Sequence, residues 1–359
     1  METLPSNAYA LTTTYLNTAS HGLLPAPTVA ALREATAEMA DGRMSVPLFL
    51  ERAERARSGY AALTGVTPDR VALGSSVAGH AALVAASLPP GAEVVAPEED
   101  FASVVTPFEQ RGGLRLRLVP LEKLADAVRP ETALVAFSAV QSADGRIADL
   151  DAVRAAAREH GARTMADLTQ AGWMPLSAGD FDFTVCGAYK WLLCPRGVSF
   201  LTVPEDFGGL RPVNAGWVAG EDPWASCYGP VAELARTARR FDDCPAFLPY
   251  AGAVPSLEFL RGLGPASVRE HDLALAARFR AGLARLGVEP VPGDSAIVSV
   301  PGLGGATARL ADAGIVAASR AGHLRVSFHL YNTEADVDRL LNVLEAPAPE
   351  AEQNFDTGR

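Results

Sequence analysis

Residues 181–203 read FDFTVCGAYKWLLCPRGVSFLTV, and Lys190 at their centre decides how the rest of the chain is read. Only two lysines stand among the 31 basic residues, arginine supplying the others. Lys123, in LEKLADAV, fits a solvated helix face. Lys190 instead has Tyr189 before it and Trp191, Leu192 and Leu193 after it. An ammonium among such neighbours sheds hydration, which lowers its pKa and frees its lone pair to attack a carbonyl. A lysine whose stem packs while its head reaches water has the same local composition, so the choice rests on the surroundings.

Outward from this stretch, short β-like runs alternate with helical patterns. The runs are Val71–Leu73, Glu93–Ala96, Arg115–Val119, Ala133–Phe137, Arg163–Asp167, Phe183–Cys186 and Val198–Val203. Between them lie segments such as DLDAVRAAAREH, apolar at helical spacing. This alternation predicts an α/β fold with a mostly parallel, seven-stranded sheet covered by helices. Ligands in such sheets gather beyond the carboxyl ends of the strands. Two helical patterns, TVAALREATAEMADG and LFLERAERARSGYAAL, lead into the sheet. The irregular stretch FGGLRPVNAGWVAGEDPWASCYGP follows it and has the composition of a functional loop. The expected organisation is a segment over residues 1–28 packing with a small domain and the site, a large domain over 29–245, a small α+β domain over 246–345, and a disordered tail over 346–359.

Of the 359 residues 48% are hydrophobic and 20% charged, enough for a substantial core. The formal charge of −11 argues against nucleic-acid and polybasic membrane surfaces. No apolar run is long enough to span a bilayer, and METLPSNAYA lacks the features of a signal peptide, so a cytoplasmic location is expected. Cys186, Cys194, Cys227 and Cys244 form no CxxC pair, and no Cys/His spacing suits zinc. No metal is expected.

Four further places in the chain invite chemistry. Ser75 and Ser76 open the helix SVAGHAALVAASL, where free N–H groups suit a phosphate, although serine is also an ordinary N-cap. Asp167 ends the strand RTMAD with Gln170 three residues on; a buried carboxylate there needs a cation or several donors, and a cap or ion pair is the plainer account. Phe101 follows the strand EVVAP and fits either the core or a stack on a flat ligand. Arg325, between apolar neighbours in HLRVSFHLY, is costly unless paired, with an internal acid or a ligand carboxylate. In order, these describe a phosphorylated aromatic aldehyde held by a lysine, which is pyridoxal phosphate.

The segments ADLTQAGWMPLSAGDFDFTVCGAYKWLLCPRGVSFL and LRVSFHLYNTEADVDRLLNVL resemble the class V aminotransferase family of fold-type I pyridoxal-phosphate enzymes, which includes cysteine desulfurase-like, kynureninase-like and isopenicillin-epimerase-like members. The resemblance runs from YLNTASHGLLP through nearly the whole chain. It implies that Lys190 carries the cofactor as an imine and Asp167 pairs with the pyridinium nitrogen. Gln170 approaches the ring's phenolic oxygen, Phe101 stacks on the ring, and Ser75, Ser76 and Tyr189 reach the phosphate. Arg325 takes the substrate α-carboxylate. The resemblance also implies a homodimer with sites at the interface, where Trp217 serves its own or the neighbouring site. Gly187 stands where desulfurases commonly have serine, and Cys194 where glycine is usual. No cysteine occurs between Ile297 and Arg325, the region that presents the persulfide-forming cysteine of desulfurases.

The implied activity is on an α-amino acid through a quinonoid intermediate. The leading expectation is a C–S lyase that splits a cysteine S-conjugate into thiol, pyruvate and ammonia. Transamination, epimerisation, a kynureninase-like hydrolysis and a non-catalytic cofactor-binding protein are the alternatives. A Rossmann dehydrogenase fails because Gly262/Gly264 and Gly302/Gly304 lack the third glycine and come too late in the chain.

Overall fold

The computed structural model describes residues 8–346. Residues 1–7 and, beyond Ala346, the tail expected to be disordered lie outside the described residues.

The described chain opens with β1 (Thr14–Tyr15), then α1 (Ala26–Ala40) and α2 (Val46–Thr64). Ser45 caps α2 by accepting from the Leu48 N–H at 3.4 Å, and Gly65 ends it at φ 72°, a left-handed conformation open to glycine without strain. Next come β2 (Val71–Gly74), α3 (Val77–Ser87), β3 (Glu93–Pro97), α4 (Ala102–Gln110), β4 (Arg115–Val119), β5 (Thr132–Ser138), α5 (Leu150–His160), β6 (Arg163–Asp167), β7 (Phe183–Gly187) and β8 (Ser199–Thr202). All seven expected strands form, within about one residue at either end. In α5 the Asp149 carboxylate accepts from the Ala152 N–H at 3.0 Å, and Val153 and Ala157, one turn apart, are buried.

Strands β2 to β8 make one sheet in the order β2-β8-β7-β6-β5-β3-β4, with β8 antiparallel to both neighbours and the other pairs parallel. Alternate residues of a strand feed separate apolar clusters: Leu134 and Ala136 one, Val135 and Phe137 the other. A sheet covered on both faces has the near-continuous apolar strands seen in the sequence. Register aligns the strand ends. Ser138 lies opposite Asp167, and Asp167 opposite Val185. Ser199 lies opposite both Gly187 and Gly74. The ends of β5, β6, β7 and β2 therefore open onto one edge.

The stretch expected to be a functional loop after β8 is irregular, with single helical turns at Phe207–Gly209 and Trp217–Ala219. Helices α6 (Phe247–Leu263) and α7 (Pro265–Arg285) follow, then β9 (Ile297–Val300), α8 (Ala306–Asp312), β10 (Ile315–Val316), β11 (Ala318–Arg320), β12 (His323–Ser327) and α9 (Glu334–Glu345). Strands β11, β12 and β9 form an antiparallel sheet. The boundary expected at residue 246 falls before α6, yet Tyr250, Val254 and Leu257 of α6 share a cluster with Ala53, Ala56 and Tyr60 of α2. The C-terminal cluster takes its first helix from α7, through Leu275, Phe279 and Leu283.

Residues 14–22 strap these parts together. β1 pairs in parallel with β10, and the Ala19 N–H donates to Ser327 Oγ at 2.8 Å. On its other side the Gly22 N–H donates to the Tyr189 carbonyl at 2.8 Å. A Cβ at Gly22 would stand 2.0 Å from the Lys190 carbonyl oxygen, so only glycine permits this approach.

Candidate active site

Lys190 stands three residues beyond β7, in a turn held from several sides. The Cys194 N–H donates to the Ala188 carbonyl at 3.0 Å, and Ser256 Oγ donates to the Leu193 carbonyl at 2.7 Å. Leu193 takes a left-handed φ of 54°, which a branched side chain accepts only under constraint. Lys190 is 5% exposed, and burial lowers its pKa to about 8, opposed by the nearby Asp167 carboxylate. Its Nζ lies 5.4 Å from the Phe101 ring centroid and 5.6 Å from that of Tyr189.

Asp167, the last residue of β6, is buried and pairs with no arginine among the described residues. Its hydrogen bonds come from Thr169, whose N–H donates to Oδ1 at 2.8 Å. Burial raises its pKa to about 6, and the Thr169 bonds and the Lys190 charge only partly offset this. Phe101 precedes α4 and is 42% exposed. Its backbone is fixed by Asp100, which accepts from the Phe101 N–H at 2.6 Å, the Ser138 N–H at 2.7 Å and Gln141 Nε2 at 3.2 Å.

Arg325, in β12, is 2% exposed and meets no carboxylate among the described residues. It donates to the Ser142 carbonyl, to Ser20 Oγ at 2.6 Å and, at 3.5 Å, to Asn17 Oδ1. Its buried Nε has no partner among the described residues. Burial lowers its pKa to about 10. Of the two accounts open to this arginine, an internal ion pair is absent among the described residues.

The aminotransferase class-V family profile matches residues 15–340. Isopenicillin N epimerase of Amycolatopsis lactamdurans is 33% identical, the match covering 92% of this chain and 94% of that protein. This chain belongs to the class-V aminotransferases. Solved structures share its fold: the cystine C–S lyase C-DES with a TM-score of 0.84 at 21% identity, over 94% of this chain and 98% of that one, and the cysteine desulfurase of Thermococcus onnurineus NA1 with 0.81 at 22%, over 93% and 94%.

As a class-V aminotransferase the chain is a fold-type I enzyme that uses pyridoxal phosphate, and its residues fit that cofactor. A pyridinium N–H would give the isolated Asp167 carboxylate its missing cation. A flat ring against Phe101 would cover an aromatic otherwise 42% exposed, beside the Lys190 amine.

The remaining expected residues divide. Ser75 and Ser76 lie exposed where β2 enters α3; Ser76 Oγ already caps that helix, accepting from the Gly79 N–H at 3.1 Å. Tyr189 is half-buried with the Arg196 guanidinium 4.3 Å from its ring centroid. Gln170 is held by protein at both ends: Nε2 donates to the Ala19 carbonyl at 2.8 Å, and Oε1 accepts from Trp191 Nε1 at 2.9 Å. One amide hydrogen remains for a ring oxygen. Trp217 lies in the irregular stretch after β8, its ring 5.5 Å from that of Trp224. Asp100, Asn17, Ser20 and Ser142 were not picked out from the sequence. Asp100, Ser20 and Ser142 sit in turns or bends, where polarity carries no signal; Ser142 acts through its backbone carbonyl, and Asn17 lies in an isolated bridge to Ser327.

Among the described residues no helix is long and apolar enough to cross a membrane, and no cluster of His, Cys, Asp or Glu could hold a metal.

Proposed function

We propose that Lys190 anchors pyridoxal phosphate, that Asp167 keeps its ring nitrogen protonated, and that the N-terminus of α3 with Ser75, Ser76 and Tyr189 takes the phosphate. Phe101 stacks on the ring, and Gln170 positions the Lys190 turn and offers its remaining hydrogen to the phenolic oxygen. The observation that carries this reading is the trio of buried charges, one acid, one lysine and one arginine, none of which forms a salt bridge among the described residues. When bound, pyridoxal phosphate supplies an electron sink that acidifies the Cα–H of an amino acid. Arg325 holds the α-carboxylate. The Lys190 amine, its pKa lowered to about 8, is suited to take the Cα proton near neutral pH.

For the fate of that proton we favour β-elimination from a cysteine S-conjugate. In that reaction the bound cofactor would supply the electron sink, the C–S bond would break with its electron pair on sulfur, and Lys190 would return the proton to the thiolate; thiol, pyruvate and ammonia are the products, with one water consumed. The chain from Ile297 to Arg325, containing no cysteine, argues against a persulfide-forming desulfurase. Cys186 and Cys194 are buried, and burial raises both thiol pKa values. Epimerisation is the second reading, favoured by the 33% identity to an epimerase. Phe101 weighs against a second base on its face of the ring, because a phenyl group carries no proton to give. Location in the cytoplasm and a homodimer, with Trp217 reaching the neighbouring site, complete the proposal.

The test is direct. The protein should be yellow, and Lys190→Ala should lose both that colour and all turnover. Cysteine S-conjugates should release thiol and pyruvate in equal amounts. Loss of chirality at Cα without pyruvate would replace elimination by epimerisation, and a protein that takes up no cofactor would remove the whole reading.

A further inference from the structure

Strands β11 and β12 form a hairpin in which Ala318 lies opposite Arg325 and Arg320 opposite His323. Cross-strand partners, and residues two apart on one strand, project to the same face. Arg325, His323 and Arg320 therefore share a face that runs from a buried floor to an exposed tip. The two arginines nevertheless converge on one atom: Ser20 Oγ accepts from Arg325 Nη2 at 2.6 Å and from Arg320 Nη2 at 3.2 Å. The two Nη2 atoms are thus no more than about 6 Å apart.

No acidic side chain among the described residues pairs with either. The other acceptor for Arg320 is the Ser319 carbonyl, at 2.7 Å, and neither arginine meets a carboxylate among the described residues. His323 is no counter-charge, its Nδ1 lying 3.2 Å from Ser299 Oγ. The Arg320 charge also helps to lower the pKa of Arg325. Two like charges held on one neutral hydroxyl make a site for negative charge. A single carboxylate on Arg325 and its free Nε would leave the outer guanidinium uncompensated.

Resting on the reading that Arg325 takes the α-carboxylate, we propose that Arg320 is a specificity residue that binds a second carboxylate, carried on the substrate side chain. The preferred substrate is then an amino acid with an acidic tail, its far end directed to the hairpin tip. The short gap between the two guanidiniums suits a tail of a few bonds.

The experiment uses holoenzyme with substrates deuterated at Cα and reads release of that label to water, which reports any reaction that breaks that bond. Glutamate is compared with glutamine, and S-carboxyethyl-cysteine with its amide. Wild type should favour each acid over its amide by about tenfold or more in kcat/KM, the scale of one charge-assisted hydrogen bond. Arg320→Gln should bring that ratio close to one, acting through KM, and Arg320→Lys should restore part of it. Arg325→Gln should weaken acid and amide alike. Equal losses on acid and amide in Arg320→Gln, or no acid preference in wild type, would overturn the assignment while leaving the amino-acid reading intact. Cofactor binding without release of the Cα label from any of these substrates would sink the amino-acid reading and this inference with it.

Discussion

Two arginines of this protein are buried to the same degree and treated in opposite ways. Arg57, 4% exposed on α2, donates from Nη2 to Asp242 at 2.6 Å, from Nε to Glu54 at 2.9 Å and from Nη1 to the Val71 carbonyl. Its pKa is raised, because the Asp242 and Glu54 charges outweigh its burial. Arg325, 2% exposed, has hydroxyl, amide and carbonyl acceptors and no acid, and its pKa falls. The aspartates repeat the contrast: Asp242 has Arg57, whereas Asp167 has Thr169. Burial alone does not separate a structural charge from one kept for a ligand, the role proposed for Arg325 and Asp167. What separates them is whether the fold itself supplies the opposite charge.

The contrast can be broken or sharpened by exchanging what each charge loses. Arg57→Met leaves Asp242 buried without its cation and should cost about 3–5 kcal/mol of stability, read from chemical denaturation. Arg325→Met should leave stability unchanged or improved, since an unpaired buried charge is removed, while kcat/KM falls by a factor corresponding to roughly 2–5 kcal/mol. A large stability loss in Arg325→Met would mean that its neighbours already compensate it.

A smaller effect concerns pH. In cofactor-free protein Asp167 binds its proton more tightly folded than unfolded, its pKa rising from 3.8 to about 6. The folded state is therefore favoured at low pH and loses that advantage as pH climbs through this window, by an amount of order 2–3 kcal/mol. Lys190, lowered from 10.5 to about 8, acts in the opposite sense: its burden is full below pH 8 and disappears above 10.5. Asp167→Asn should flatten the acidic slope, and cofactor should flatten it in wild type. An unchanged slope in Asp167→Asn would assign that titration to another group. The smallest change is expected for the double replacement Arg57→Met with Asp242→Leu, which removes both members of the ion pair and should fall within about 1 kcal/mol of wild type.

What could be read ahead of the structure follows from how local each signal is. Apart from the edge strand β4, RLRLV, which has no buried residue, the sheet strands were legible because burial on two faces makes them short, apolar and bounded by turns. Lys190, Asp167 and Arg325 stand out in the sequence as candidates because each breaks the apolar pattern of its own neighbourhood. β1 was not, since two residues have no periodicity, and its partner β10 lies some 300 residues away. Ser20 and Asn17 were hidden for the same reason: Ser20 meets Arg325 across 305 positions, and nothing in YLNTASHG marks the encounter. The packing of α6 on α2 was not legible, because an apolar helix does not say which neighbour it will cover.

The strap over residues 14–22 touches both the C-terminal strands and the lysine turn, and it carries the hydroxyl on which the two arginines meet. A protease nick within it would leave nearly every core side chain in place yet unfasten one wall of the reaction chamber. Limited digestion could thus yield a protein that melts normally, keeps its colour and has lost its grip on anything acidic.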